Sequence, residues 1–168
     1  MYTESSSLKS QVVSLPYKDS PLSFIVFLPK DNQTIDELIA SLSTYGVKSI
    51  VENMTVQDIA LHLPRFKVEV DIDLILMFWD LGLSDLLLDK ANLSGFTDTK
   101  LFLEKAQHKV IITVDEEGTT AAAATAILAT AVSAGSSPTS FRADHPFVYM
   151  VYDMISHMPL FVGVMMDP

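Results

Sequence analysis

The chain has 168 residues, 49% hydrophobic and 19% charged, enough apolar side chain for a real core and too much for a disordered tail. Eleven Lys and Arg stand against 21 Asp and Glu, a formal net charge of −10, the wrong sign for neutralising nucleic-acid phosphates or for resting on an anionic membrane. With no cysteine, a disulfide scaffold, a thiol nucleophile and a thiolate zinc site are excluded.

Residues 1–10 are polar and Ser-rich, without the basic-then-apolar order of a secretory signal. Two apolar runs, 11–15 and 22–28, flank a polar stretch holding Pro16 and Pro21, which predicts a β-hairpin. The second run is apolar almost throughout, so it is expected to be buried on both faces. Thr34 and Glu37 have capping-box spacing, and Ile35, Leu38, Ile39 and Leu42 share one helical face, predicting a helix that ends at Gly46. A second short helix is expected over 47–54.

From residue 56 to 74 the period changes to two. Leu61, Leu63, Phe66, Val68, Val70 and Ile72 alternate with His62, Arg65, Lys67, Glu69 and Asp71, the pattern of one or two strands with a polar face. Residues 74–83 read as a short helix closed by Gly82, 85–99 as a loop, and 109–115 as a strand. Three more strands are expected over 139–143, 147–155 and 160–166. Strands in runs with few helices between them predict an α+β fold of mixed and antiparallel sheets.

Residues 118–137 stand apart. They carry no charge and few large apolar side chains, and threonines interrupt an alanine run that would otherwise favour a surface helix. A connection this long between strands is usually functional. Small side chains would let it enter a crowded sheet as a strand, which large or charged ones would prevent. It therefore reads as an exposed segment able to change partners.

Little else carries chemistry. His62, His108, His145 and His157 have no second ligand at metal spacing and read as strand or turn residues. The glycines are scattered, with no phosphate loop and no nucleophile elbow. Asp71 with Asp73 and Glu116 with Glu117 read as solvated charge rather than a catalytic pair. Lys100, Lys105 and Lys109, interspersed with Glu104, make no basic patch. The sequence predicts no enzyme, no catalytic residue, no metal and no cofactor, and neither a nucleic acid nor a membrane as partner. The three asparagines, Asn32, Asn53 and Asn92, all sit in N-x-S/T triplets, acceptors for glycans in an exported chain. They favour an extracellular location; with no signal peptide visible, a cytoplasmic one is the alternative.

At Glu116-Glu117-Gly118-Thr119-Thr120-Ala121-Ala122-Ala123-Ala124-Thr125 the sequence closely resembles the proximal hinge of the reactive-centre loop of inhibitory serpins. Phe141-Arg142-Ala143-Asp144-His145-Pro146-Phe147 is similar to the signature that follows that loop, and Leu160-Phe161-Val162-Gly163-Val164-Met165-Met166-Asp167-Pro168 to the final strand. Leu61-His62-Leu63-Pro64-Arg65-Phe66-Lys67, Leu93-Ser94-Gly95 and His108-Lys109-Val110 fit the same family in the same order. The resemblance begins at about Gln11, and the chain looks like the C-terminal half of a usual serpin, with the N-terminal half absent.

The resemblance implies a single serpin-like domain over 1–168, with a reactive-centre loop at about 117–138. It implies a suicide-substrate inhibitor of serine proteases: the loop is bait, and after acylation the freed hinge inserts as a new strand. Counting from Glu116 places the reactive bond between Val132 and Ser133, with Ala131 or Ser133 as bait if the register slips by one. The small flank Thr130 and Ala131 suits elastase-like enzymes, with chymotrypsin-like ones also open. Thr120 departs from the Glu usual there.

Lacking the other half of the fold, the strand at 109–115 is expected at a sheet edge. It could pair with a second copy, giving a homodimer or oligomer by strand exchange; it could take up the chain's own loop; or the chain could bind proteases reversibly. The alternative function is a non-inhibitory binding or structural protein on a truncated serpin scaffold, cleaved as a substrate or self-associating.

Overall fold

The computed structural model describes residues 1–30, 32–116 and 138–168. They form two compact units, one of residues 1–65 with 115–168 and one of residues 66–114.

The first unit is built on a five-stranded antiparallel sheet in the order β1-β2-β3-β8-β9. The hairpin is β2 (Ser10–Pro16) and β3 (Leu22–Pro29), in register from Ser10 opposite Pro29 to Pro16 opposite Ser23. Every residue of β3 after Leu22 is buried, as its unbroken apolar run requires. Next to β3 lies β8 (Phe147–Asp153), followed by β9 (Met158–Met165) across a tight turn. On the far side, β1 (Tyr2–Ser5) pairs with β2. The sequence predicted no element over residues 1–10, and β1 is an addition to that reading. Tyr2-Thr3-Glu4-Ser5 has no apolar alternation of its own and is held by pairing with Val12 and Val13 and by a bridge from Tyr2 to Thr55.

Helix α1 (Ile35–Tyr45) begins at the expected capping box: Glu37 N–H donates to Thr34 Oγ1, and Thr34 N–H to the Glu37 carboxylate. Gly46, at φ 72°, ends it by donating its N–H to the Leu42 carbonyl. Of its apolar face Leu38 is fully buried, whereas Ile39 is exposed. Helix α2 (Lys48–Glu52) contributes Ile50 and Val51. These three residues pack with Leu8, Val12, Ile25, Phe27, Val148, Met150 and Tyr152 in the core against one face of the sheet. A separate parallel pair joins β4 (Ile59–His62) to β7 (Thr139–Arg142).

The second unit holds β5 (Phe66–Asp73), α3 (Ile75–Asp80), a 3-10 helix at Ser84–Leu87, and β6 (Gln107–Val114). β5 and β6 pair antiparallel, from Phe66 opposite Val114 to Asp73 opposite Gln107. The alternation read from the sequence is present: Lys67, Glu69 and Asp71 share one face, and Phe66, Val68 and Val70 the other. Val70 and Ile72 are nevertheless exposed, so the apolar face is only partly covered.

Candidate functional site

The segment expected from the sequence to be bait lies, in chain order, between two strands of different sheets. β6 ends at Val114, Asp115 and Glu116 follow as exposed residues with a bend at Glu116, and the chain is described again from Pro138, just before β7 begins at Thr139. Of the predicted hinge, Glu116 alone is described. Glu117, Gly118, Thr119, Thr120, Ala121, Ala122, Ala123 and Ala124 lie outside the described residues, as do Thr130, Ala131, Val132 and Ser133.

The N-terminal root is strand β6. Among the described residues β5 and β6 make a two-stranded sheet, so β6 has an open backbone edge. Lys109 of β6 bridges Glu69 and, at 3.8 Å, Asp71 of β5. Asp73 Oδ1 accepts the Ile75 N–H at 3.0 Å at the start of α3. The Asp71 and Asp73 carboxylates thus serve local structure, as solvated charge does.

The C-terminal root is held at several points. Leu61 of β4 pairs with the buried Phe141 of β7, and the Ala143 N–H reaches the His62 carbonyl at 2.9 Å. Gln11 Nε2 donates to the Ser140 carbonyl at 3.3 Å. At the turn into β8, His145 Nε2 lies 2.9 Å from the Pro29 carbonyl and Nδ1 lies 3.0 Å from Asp144 Oδ1. That hydrogen bond is the main reason the Asp144 carboxyl is held below its ordinary pKa, with Arg142 assisting from 3.5 Å. The His145 contact with Pro29 spans 116 positions, whereas the sequence marked His145 as a strand or turn residue within the Phe141–Phe147 signature, with no partner implied. The adjacent Asp144-His145-Pro146 was the one available signal.

The remaining histidines are dispersed. His62 and His108 are exposed on strands, and His157, at φ 56°, sits half-buried in the β8–β9 turn with its ring tilted against Tyr152. Among the described residues no group of three His, Asp or Glu is placed to hold a metal ion. No described helix is long and apolar enough to cross a membrane.

The whole of residues 1–168 matches the family model described as Serpin (serine protease inhibitor). The match takes in β1 and extends the resemblance upstream of Gln11. Serpin B3 of Homo sapiens is 36% identical over 168 residues, covering 96% of this chain and 42% of that protein. Leukocyte elastase inhibitor of Bos taurus is 36% identical over 176 residues, covering 96% and 44%. The crystal structure of a Manduca sexta serine protease inhibitor, serpin-12, superposes with a TM-score of 0.77 at 29% identity, over 99% of this chain and 43% of that one. The chain thus spans about two fifths of the length of these relatives.

Proposed function

Because the chain belongs to the serpin (serine protease inhibitor) family, we propose that it inhibits a serine protease by offering residues 117–138 as bait. The observation that carries this reading is the hinge-like sequence from Glu116 to Thr125, continuous with an open-edged strand, β6. The nucleophilic serine of the protease attacks the Val132 carbonyl, the bond to Ser133 breaks, and the enzyme is left as an acyl ester on Val132. Thr119 and the alanines from Ala121 to Ala124 are small and uncharged, as a segment inserting beside β6 must be.

Thr130, Ala131 and Val132 favour an elastase-like enzyme with a shallow pocket, and the name of the bovine relative, leukocyte elastase inhibitor, supports that class. The two units act as one serpin-like domain. The protein works outside the cell, as its three N-x-S/T triplets suggest.

One observation favours a second reading. The open edge of β6 and the part-exposed apolar face beneath it suit a non-inhibitory scaffold that pairs with a second copy and whose loop is cleaved as a substrate. Mixing the chain with an elastase-like protease separates the two, read by denaturing gel and by mass spectrometry of the fragments. A denaturant-stable complex with cleavage after Val132 supports the inhibitor. Rapid cleavage with the enzyme left fully active supports the substrate scaffold.

A further inference from the structure

Three asparagines have the sequence of a glycan acceptor, and the structure treats them differently. Asn92 lies in an exposed turn, where its Oδ1 accepts the Ser94 N–H at 3.2 Å and the Ser94 hydroxyl at 2.7 Å. The turn continues with Phe96 N–H and Thr97 N–H donating to the Leu93 carbonyl. These bonds join residues two to four apart, so they require nothing from the rest of the fold and can form in a chain still emerging. With two donors on Oδ1, charge is drawn onto the oxygen and the Nδ2 protons become easier to lose. Nδ2 is the atom a glycan would join.

The other two triplets are committed elsewhere. Thr34, the third residue of the Asn32 triplet, is the N-cap of α1, with Oγ1 accepting the Glu37 N–H. Asn53 caps the C-terminus of α2, and its Nδ2 donates to the Ser49 carbonyl at 2.6 Å. Thr55 exchanges two backbone hydrogen bonds with Tyr2, at 2.8 and 3.1 Å. Asn53 Nδ2 is thus engaged as a donor, and the backbone of its triplet's threonine is tied to β1.

We infer that Asn92 is an N-glycan acceptor, used in preference to Asn32 and Asn53. The co-reactant is a lipid diphosphate-linked oligosaccharide. Nδ2 of Asn92 bonds to the anomeric carbon, the bond from that carbon to the diphosphate oxygen breaks, and the lipid diphosphate leaves with the electron pair. The displaced Nδ2 proton passes to a base of the transferase.

The inference rests on the extracellular reading, and the test keeps the two apart. The full chain is expressed in eukaryotic cells behind an added cleavable signal peptide, and in parallel without one. Total membrane and secreted fractions are treated with a peptide-N-glycosidase in heavy-oxygen water, so that folding and release are not required for detection. The expected result with the signal is heavy label mainly at residue 92 and loss of the glycosidase-sensitive gel shift in Asn92→Gln, with the shift kept in Asn32→Gln and Asn53→Gln. No label at residue 92, or equal or greater label at 32 or 53, overturns the inference. The parallel expression bears only on export: secretion without the added signal supports the extracellular reading, and its outcome leaves the acceptor inference untouched.

Discussion

Tyr149 of β8 stands opposite Gly163 of β9, and its ring fills the space that a side chain on Gly163 would need. A Cβ built on Gly163 would lie 2.8 Å from Tyr149 Cε2 and closer still to Cζ and the hydroxyl. The ring has little room to retreat. It is buried, stacked on Phe24 with centroids 5.8 Å apart, and meets Phe147 edge-on at 6.3 Å. Burial also holds the Tyr149 hydroxyl above its ordinary pKa.

Gly163→Ala should therefore destabilise the first unit by about 1–3 kcal/mol, the usual cost of overpacking. In a Tyr149→Ala background the same change should cost little, since the overlap is gone. Denaturant midpoints of the two single variants and the double variant measure that coupling. Simple additivity would refute the overlap as the cause.

Thr34→Ala should cost about 1 kcal/mol, because the Glu37 N–H loses its side-chain acceptor and the returning Glu37 carboxylate loses its register. Thr34→Asp should restore most of the loss. Thermal melts of the three proteins check this, and an unchanged Thr34→Ala would mean that packing of Leu38 alone positions α1.

Acid should weaken the fold through three carboxylates. Asp153 is held below the ordinary range by the Ile155 N–H and then by the Ser156 hydroxyl, Asp144 by its bond to His145, and Glu4 by Lys30. A carboxyl whose folded pKa is depressed stabilises the native state fully above its unfolded pKa and ceases to do so as pH falls through the folded value. The denaturant midpoint should therefore fall progressively below about pH 4. Asp153→Ala should lower the midpoint at neutral pH and flatten that acid slope. An acid slope identical to that of the parent protein would show that Asp153 does not contribute.

What could be read from the sequence divides along the reach of each interaction. The Thr34–Glu37 cap, the proline-bounded β2–β3 turn, the Gly82 stop after α3 and the alternation of Phe66, Val68 and Val70 are local patterns, and each appears where local chemistry puts it. What was missed needs a distant partner. Strand β1 depends on Val12, Val13 and Thr55; the parallel pairing of Leu61 with Phe141 joins segments far apart in the chain; and His145 meets Pro29 across 116 positions. Gly163 looked like one more residue of a terminal strand until Tyr149 was placed beside it. The proposed bait rests on a signal of another kind: a composition, small and uncharged, together with a run of family motifs in order.

Ile111 offers a test of the open edge. It lies on the polar face of β6, half exposed and opposite Glu69. If copies of the chain pair through β6, Ile111→Lys should leave the hairpin folded, place a cation across from Glu69, and reduce that pairing by charging the open-edged strand. Light scattering over a concentration series should show a smaller apparent mass than that of the parent protein. An equal mass at every concentration would remove β6 as the contact between copies.

One substitution separates the proposed hinge from the proposed bait. Thr119→Arg leaves Thr130, Ala131, Val132 and Ser133 untouched, so an elastase-like protease should still cleave after Val132 at a similar rate. Insertion is another matter: were the hinge to enter a sheet beside β6, an arginine there would have to bury its charge or hold the strand out. If insertion traps the enzyme, Thr119→Arg should convert a stable complex into free enzyme and cleaved chain, whereas Thr119→Ser should behave as the parent. A denaturant-stable complex that persists at parental yield in Thr119→Arg would mean that trapping does not pass through insertion at this position.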